Sequence, residues 1–123
     1  MARILVVDDH PSVRALVRDV LELEGHVVRV AEDGYAALRA VAAERPDGVV
    51  LDVVMPGMDG HEVLARLRAM VGGLELPVVM LTASADDATA WRGWAGGVDV
   101  LLGKPFDPDE LLRSLEGLVA AGR

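Results

Sequence analysis

The feature that most constrains the fold of this chain is a regular alternation of short aliphatic runs with longer segments of helical periodicity. Runs of this length, rich in β-branched residues, predict β-strands. Five are present, at residues 3–7, 26–30, 48–51, 77–81 and 98–102. The first, third and fourth runs are almost continuously apolar, which is typical of central strands in a parallel sheet that helices cover on both faces. The second run is more mixed in polarity and is predicted to lie at an edge.

Helical periodicity fills the intervals between these runs. Five helices are predicted, the first ending before Gly25 and the others at about 34–43, 59–70, 85–95 and from 107 onwards. Gly25 stands where a left-handed C-terminal cap belongs, and Asp59 with Glu62 forms a capping-box pattern. Pro108 suits the first turn of the last helix, where its missing N–H costs no hydrogen bond.

This alternation predicts an α/β fold. Right-handed crossovers between parallel strands place the helices on the two faces of one sheet, which gives a three-layer αβα sandwich. We expect a doubly wound, five-stranded parallel sheet with the strand order 2-1-3-4-5. A length of 123 residues fits one domain with its own core, so residues 1–123 are predicted to form a single domain.

Composition argues against several classes of protein. The chain has no cysteine, no apolar run near the ~20 residues of a membrane span, and no N-terminal pattern of a secretory signal, so a cytoplasmic protein is predicted. Twenty acidic residues against 12 basic residues give a net charge of −8, which repels a phosphate backbone. We therefore expect neither direct binding of nucleic acid nor a membrane association.

Ionisable and hydroxyl side chains stand at the ends of four predicted strands. Asp8 and Asp9 follow the first strand, Asp52 ends the third, Thr82 ends the fourth and Lys104 follows the fifth. In the order 2-1-3-4-5 the first and third strands are neighbours, so the three carboxylates are expected to converge at one edge of the sheet. Doubly wound folds bind their ligands at this edge, which predicts a functional site there.

The three carboxylates predict a bound cation, because like charges this close raise one another's pKa unless a positive charge compensates them. Oxygen ligands without cysteine favour Mg²⁺ or Mn²⁺. With this ion, the Lys104 ammonium and the Thr82 hydroxyl nearby, Asp52 is surrounded by groups that suit an incoming phosphoryl group. Asp52 is then predicted to be a nucleophile that forms an acyl phosphate.

Histidine ligands are not predicted at this edge. His10, His26 and His61 fall on different elements, without the spacing of a histidine metal site. His10 follows the acidic pair and is expected only to line the edge.

Four short motifs, VVDD, LDVVMPGMDG, LTA and KPF, follow the first, third, fourth and fifth predicted strands in this order. Together they resemble the receiver domain of two-component response regulators, over essentially the whole chain. The resemblance implies a flavodoxin-like fold and a phosphorylation-activated switch, which takes a phosphoryl group on Asp52 from a histidine kinase or a histidine phosphotransfer protein. It implies no enzymatic activity beyond self-phosphorylation from a phosphodonor and autodephosphorylation.

The resemblance also implies roles for individual residues. Asp52 is the phosphoacceptor, and Thr82 and Lys104 bind the phosphoryl group. The implied metal ligands are Asp9 directly, Asp8 through water, Asp52, and the backbone carbonyl of Val54. The resemblance further implies a cis peptide bond before Pro105 and close packing at Gly60. A downstream protein or output domain is expected to contact the predicted fourth helix, the fifth strand and the fifth helix.

Two positions depart from the family pattern. Leu101 stands three residues before the lysine, where the family usually has the tyrosine or phenylalanine of the activation switch, so a switch that depends on Thr82 is expected to be weaker. Val54, two residues after the phosphoacceptor, cannot hold an attacking water by a hydrogen bond. A long-lived phosphoryl group is therefore expected.

Two other functions remain open on the sequence. A haloacid dehalogenase-type aspartyl-phosphate hydrolase also uses an aspartate at a strand end, but it needs a second aspartate where this chain has Val54. A flavodoxin-like cofactor binder needs a phosphate loop rich in Ser, Thr and Gly, whereas the first turn here is acidic. The sequence is equally compatible with a single-domain regulator and with the receiver of a longer protein.

Overall fold

The computed structural model describes residues 2–70, 72–83 and 97–121, and these form an α/β fold. The strands are β1 (Arg3–Val7), β2 (Val27–Ala31), β3 (Gly48–Asp52), β4 (Val78–Thr82) and β5 (Val100–Gly103). The helices are α1 (Pro11–Leu23), α2 (Gly34–Ala43), α3 (Gly60–Ala69) and α4 (Pro108–Ala120), with a short 3-10 helix at Gly73–Glu75. The segment predicted as the fourth helix, 85–95, lies outside the described residues, so α4 corresponds to the predicted fifth helix.

The five strands form one parallel sheet in the order β2-β1-β3-β4-β5, which confirms the predicted topology. At the carboxyl end of the sheet, Asp52 of β3 pairs with Leu81 of β4, and Thr82 of β4 pairs with Gly103 of β5. This register brings the last residues of β3, β4 and β5 to the same edge. The site predicted from the strand ends is therefore built by the pairing of neighbouring strands.

Side chains alternate along the strands between two apolar cores, one on each face of the sheet. Ile4 and Val6 of β1 pack with α1 and α4, whereas Leu5 and Val7 pack with α2 and α3. Every residue of β3 and β4 is buried, while four of the five residues of β2 are at least partly exposed. The central and edge positions predicted from hydrophobicity are thus confirmed.

Three helices begin at an aspartate whose side chain accepts a hydrogen bond from a backbone N–H of the first turn. These caps are Asp33 to Ala36 N, Asp59 to Glu62 N and Asp107 to Asp109 N. Gly25 follows α1 with a φ of +87°, in the left-handed region that glycine tolerates best. No helix among the described residues is long and apolar enough to cross a lipid bilayer.

A buried ion pair ties β4, β5 and α3 together at the amino end of the sheet. The guanidinium of Arg68, at the end of α3, donates five hydrogen bonds, to the carbonyl oxygens of Gly73, Leu76 and Gly97 and to Asp99 Oδ2. Asp99 Oδ2 also accepts from the backbone N–H of Val78 at 2.8 Å. We call this group of contacts the Arg68 clamp. It lies just before β5, which begins at Val100 rather than at residue 98 as predicted.

Candidate functional site

Three polar side chains are buried at the carboxyl end of the sheet. Asp8, Asp52 and Thr82 have relative exposures of 1%, 2% and 1%. Buried polar groups are costly unless they find partners, so their burial at the ends of three neighbouring strands needs an explanation. Asp9 lies beside them with a quarter of its side chain exposed.

Lys104 supplies the positive charge of the site. Its Nζ donates to Asp52 Oδ1 at 3.0 Å and lies 3.5 Å from Asp8 Oδ2. The backbone N–H of Lys104 donates to the carbonyl of Thr82 at 2.6 Å, which holds the lysine against the end of β4. The Lys104–Pro105 peptide bond is cis, as the family resemblance implied. The structure thus brings Asp8, Asp52 and Lys104 into one cluster, as predicted, and places Thr82 next to it.

Burial is the main reason why the pKa of Asp52 lies above its ordinary value. The hydrogen bond from Lys104 lowers this pKa, but the negative charges of Asp8 and Asp9 add to the effect of burial. Burial alone would lower the pKa of Lys104, yet the hydrogen bond and the charge of Asp52 outweigh it and raise that pKa. The hydrogen bond and the charge of Lys104 therefore offset only part of the effect that burial and the neighbouring carboxylates have on the pKa of Asp52.

Asp8 is fixed in place by local contacts at the start of α1. Its Oδ1 accepts from the backbone N–H of His10 at 2.8 Å, and its carbonyl oxygen accepts from Arg14 Nη1 at 2.9 Å. These bonds hold the Asp8 carboxylate toward the site, because both partners belong to the turn and helix that follow it. Asp8 is thereby positioned before any ligand binds.

Two carboxylate oxygens remain unsatisfied among the described residues. Asp52 Oδ2 and Asp9 Oδ1 are buried and have no hydrogen-bond partner there. Asp9 Oδ1 lies 3.1 Å from His10 Nδ1, but without the geometry of a hydrogen bond. One ligand atom from each of Asp8, Asp9, His10 and Asp52 falls within 4.8 Å of the others. A set of carboxylates with unsatisfied buried oxygens is a donor set that fits a divalent cation.

His10 is a residue of the site that the sequence reading assigned no role. Its ring Nδ1 lies 3.2 Å from Asp8 Oδ1, within the group of potential metal ligands. The ring therefore lies at the predicted edge and beside two of its carboxylates, at 3.2 Å from Asp8 Oδ1 and 3.1 Å from Asp9 Oδ1. Its position directly after the acidic pair was the available signal, but the direction of the ring depends on the backbone turn into α1.

Gly60, at the start of α3, packs directly against the strand that carries Asp52. A Cβ atom at this position would collide with the carbonyl oxygen of Asp52 and approach Val53 Cα to 2.8 Å. The Gly60 N–H also donates to the Val53 carbonyl at 2.7 Å. The close packing implied by the resemblance is confirmed. Val54, in the loop between them, has an exposed side chain with a relative exposure of 66%.

Leu101 lies in β5, at the position where the family resemblance implied a switch aromatic. It lies opposite Met80 in the sheet and packs, half-buried, against the core on the α2 and α3 face. An aliphatic side chain here lacks the ring and the hydroxyl with which an aromatic residue could respond to the site.

Comparison with known proteins decides between the functions that the sequence left open. The family model "Response regulator receiver domain" matches residues 4–116. The chain belongs to this family. The receiver domain is the regulatory domain of a two-component system and not a metabolic enzyme, and neither the hydrolase nor the cofactor-binding alternative is favoured.

Relatives and solved structures agree with this assignment. The receiver domain is 44% identical over 117 residues to the response regulator MprA of Mycolicibacterium vanbaalenii, covering 95% of this chain and 50% of that protein. It thus spans about half the length of the curated relatives it matches. Its fold is similar to that of the Vibrio cholerae chemotaxis protein CheY4, with a TM-score of 0.91, 36% identity and coverage of 96% and 98%. It is also similar to the receiver domain of Francisella response regulator 1452, with a TM-score of 0.92, 30% identity and full coverage of both chains.

Proposed function

We propose that Asp52 is the phosphoacceptor of this receiver domain, and that Thr82 and Lys104 bind the incoming phosphoryl group. The observation that carries this assignment is the state of the Asp52 carboxylate. It is buried at the end of β3, one oxygen is held by Lys104, and the other has no partner among the described residues. A carboxylate placed in this way is oriented for reaction and keeps one oxygen available.

In the proposed reaction, an Asp52 carboxylate oxygen attacks the phosphorus of the donor. When the donor is a phosphohistidine, the P–N bond breaks as the new P–O bond forms, and the electron pair of the P–N bond returns to the imidazole. Lys104, 3.0 Å from Asp52 Oδ1, can transfer its hydrogen bond to a phosphoryl oxygen as the carboxylate loses its charge. Thr82, at the end of the neighbouring strand, supplies a hydroxyl for a second phosphoryl oxygen.

The proposed metal site is formed by Asp8, Asp9 and Asp52, with the backbone carbonyl of Val54 as a further ligand. Mg²⁺, or Mn²⁺, would supply charge neutralisation for the phosphoryl oxygens when bound. The donor set supports the assignment, because Asp52 Oδ2 and Asp9 Oδ1 are buried without a hydrogen-bond partner among the described residues.

The catalytic chemistry proposed for the domain is limited to its own phosphoryl group. We expect self-phosphorylation from a small acyl phosphate and slow autodephosphorylation. The exposed side chain of Val54 supports slow hydrolysis, since it offers no hydrogen bond that could orient an attacking water.

We expect the domain to be cytoplasmic. Its proposed partners are a sensor histidine kinase or histidine phosphotransfer protein, and a downstream protein or output domain. We propose that the latter contacts the surface formed by the predicted helix 85–95, β5 and α4. Thr82 and Lys104 join the site to this surface, because β4 pairs with β5 and Lys104 leads into α4. With Leu101 in place of an aromatic residue, we expect this coupling to depend mainly on Thr82.

Intact-protein mass spectrometry after incubation with acetyl phosphate and Mg²⁺ tests the proposal. We expect one added phosphoryl group in the parent domain and none in Asp52→Asn. The matched control is Asp19→Asn, which removes an aspartate on α1 whose side chain is 65% exposed, and which should be phosphorylated like the parent. Equal phosphorylation of Asp52→Asn and the parent would contradict the assignment.

A further inference from the structure

The ring of His10 faces the carboxylates of the site although most of the side chain is exposed. Its Nδ1 lies 3.2 Å from Asp8 Oδ1 and 3.1 Å from Asp9 Oδ1, and 61% of the side chain is accessible. The cluster it joins contains Asp52, which is 2% exposed and whose Oδ2 has no hydrogen-bond partner among the described residues. The ring nitrogen and the unsatisfied carboxylate thus belong to one group of potential ligand atoms.

We propose that His10 is a metal ligand of this receiver domain, and that its imidazole nitrogen makes the site favour a nitrogen-binding transition-metal ion over Mg²⁺. The inference rests on the proposed function, because it concerns the metal site beside Asp52. It extends that function by naming the class of ion that the site binds best. Imidazole nitrogen suits ions such as Ni²⁺ and Zn²⁺, whereas Mg²⁺ prefers oxygen ligands. A site with an imidazole ligand should therefore prefer a transition-metal ion over Mg²⁺ more strongly than a site lined by oxygen alone.

The spacing of the side chains is compatible with a shared ion. Neighbouring ligands about 2.1 Å from an octahedral ion lie about 3 Å apart. The separations of His10 Nδ1 from the oxygens of Asp8 and Asp9, 3.2 Å and 3.1 Å, match this value. The Asp8 side chain is buried and fixed, so small adjustments of His10 and Asp9, which are 61% and 25% exposed, would be enough to direct all three atoms at one ion.

The tautomer of His10 can adapt to such an ion. Ionised carboxylates only accept hydrogen bonds, so the ring nitrogen that faces them carries the hydrogen when no metal is bound. In the other neutral tautomer the hydrogen is at Nε2 and the Nδ1 lone pair is available to a metal. Because the side chain is 61% exposed, the Nε2–H group can be solvated by water at little cost.

The test combines a spectroscopic readout with a comparison of affinities in the whole chain. Pulsed EPR of bound Mn²⁺ detects a coordinated imidazole nitrogen directly, and calorimetry gives the affinities for Ni²⁺ and Mg²⁺. The variant is His10→Asn, which removes the nitrogen ligand but keeps a polar residue before α1. The matched control is His61→Gln, which removes a histidine of α3 that is not part of the ligand group.

We expect a nitrogen coupling in the parent and in His61→Gln, and none in His10→Asn. Ni²⁺ affinity should fall at least about tenfold in His10→Asn, whereas Mg²⁺ affinity should change by less than about threefold. Bound Mn²⁺ without a nitrogen coupling in the parent, or an equal fall in both affinities, would overturn the role of His10 while leaving the oxygen site intact. Unchanged metal binding in Asp9→Asn would instead contradict the proposed metal site itself, and the role of His10 with it.

Discussion

The two ends of the sheet each carry a buried ionic cluster, and the clusters differ in how completely their polar atoms are paired. At the amino end, the Arg68 guanidinium donates five hydrogen bonds, which equals its number of N–H donors. At the carboxyl end, one lysine faces three carboxylates, and Asp52 Oδ2 has no partner among the described residues. Every N–H of the first cluster's guanidinium thus has a partner, whereas the second cluster keeps a buried oxygen at the place where we propose that a metal ion binds.

The difference indicates what each cluster is for. A fully paired group can hold elements together without any other molecule, which is the role of the Arg68 clamp between α3, β4 and β5. An undercompensated group raises the free energy of the metal-free fold, and such groups concentrate at functional sites. We call the end with the Arg68 clamp the structural end, and the end at which we propose phosphoryl transfer the reactive end.

Loss of the clamp is expected to have the largest effect on stability. Arg68→Met should lower the free energy of unfolding by about 3–5 kcal/mol, because it leaves the buried Asp99 carboxylate without its cation. The Arg68 and Asp99 side chains are 10% and 6% exposed, so solvent cannot replace the lost contacts. Urea unfolding measures this change.

The control for the clamp is Arg66→Met on the same helix. Arg66 is 57% exposed and pairs with Glu62 one turn away, a type of pair that contributes about 0.5 kcal/mol or less. If both variants lost the same small amount, the clamp would not be the structural element described.

Steric packing at the reactive end gives the next largest effect. Gly60→Ala should destabilise the domain by about 1–3 kcal/mol, because its Cβ would press on the backbone of Asp52 and Val53. Gly117→Ala in α4 is the matched control: its Cβ would meet nothing within 4 Å, so it should stabilise the domain by up to about 1 kcal/mol. Thermal unfolding of both variants measures the expected destabilisation by Gly60→Ala and the expected stabilisation by Gly117→Ala. A neutral Gly60→Ala would show that the loop after β3 can move away from Asp52.

Metal binding should stabilise the reactive end by a smaller amount. An ion that binds only the folded domain adds about 1.4 kcal/mol to the free energy of unfolding at ten times its Kd. The melting temperature should rise with Mg²⁺ in the parent and in Arg68→Met, and should rise much less in Asp9→Asn. A melting temperature that does not respond to millimolar Mg²⁺ in the parent would contradict the comparison between the two ends.

Replacement of Asp52 should have the smallest effect on stability, and an effect that depends on pH. Because folding raises the pKa of Asp52, the folded domain holds this proton more tightly, and the free energy of unfolding falls as pH rises from the ordinary carboxyl value through the raised one. Asp52→Asn should remove this pH dependence. At neutral pH it should raise the free energy of unfolding by less than about 1 kcal/mol, because the gain is offset by the loss of the charged partner of Lys104. Unfolding curves recorded at several pH values, with a chelator to keep the domain free of metal, measure this pH dependence. A steeper pH dependence in the variant would contradict the expectation.

The sequence allowed the reactive end to be predicted more fully than the structural end. Asp52, Thr82 and Lys104 each stand at the end of an apolar run, and the topology of a parallel sheet alone brings such positions together. The Arg68 clamp has no such local signal. Arg68 and Asp99 are 31 residues apart, and each resembles an ordinary polar residue until the path of α3 into β4 is known.

The direction of the His10 ring and the first residue of β5 also could not be predicted from the sequence, because both depend on local backbone geometry. Whether the His10 ring turns toward Asp8 and Asp9 depends on backbone angles at the start of α1, which the pattern of residues does not specify. The start of β5 was predicted two residues too early, because the apolar Val98 extends the run although Asp99 turns its side chain onto Val78 N.

The central claim, that the undercompensated Asp52 carboxylate receives the phosphoryl group, is tested most directly by locating that group in the chain. Borohydride reduces an acyl phosphate to an alcohol, so phosphorylated Asp52 would become homoserine and change the mass of its peptide. After treatment with acetyl phosphate and Mg²⁺, peptide mapping should find this change at residue 52 and at no other aspartate. Reduction at a different residue, or the same labelled yield in Asp52→Asn, would contradict the account.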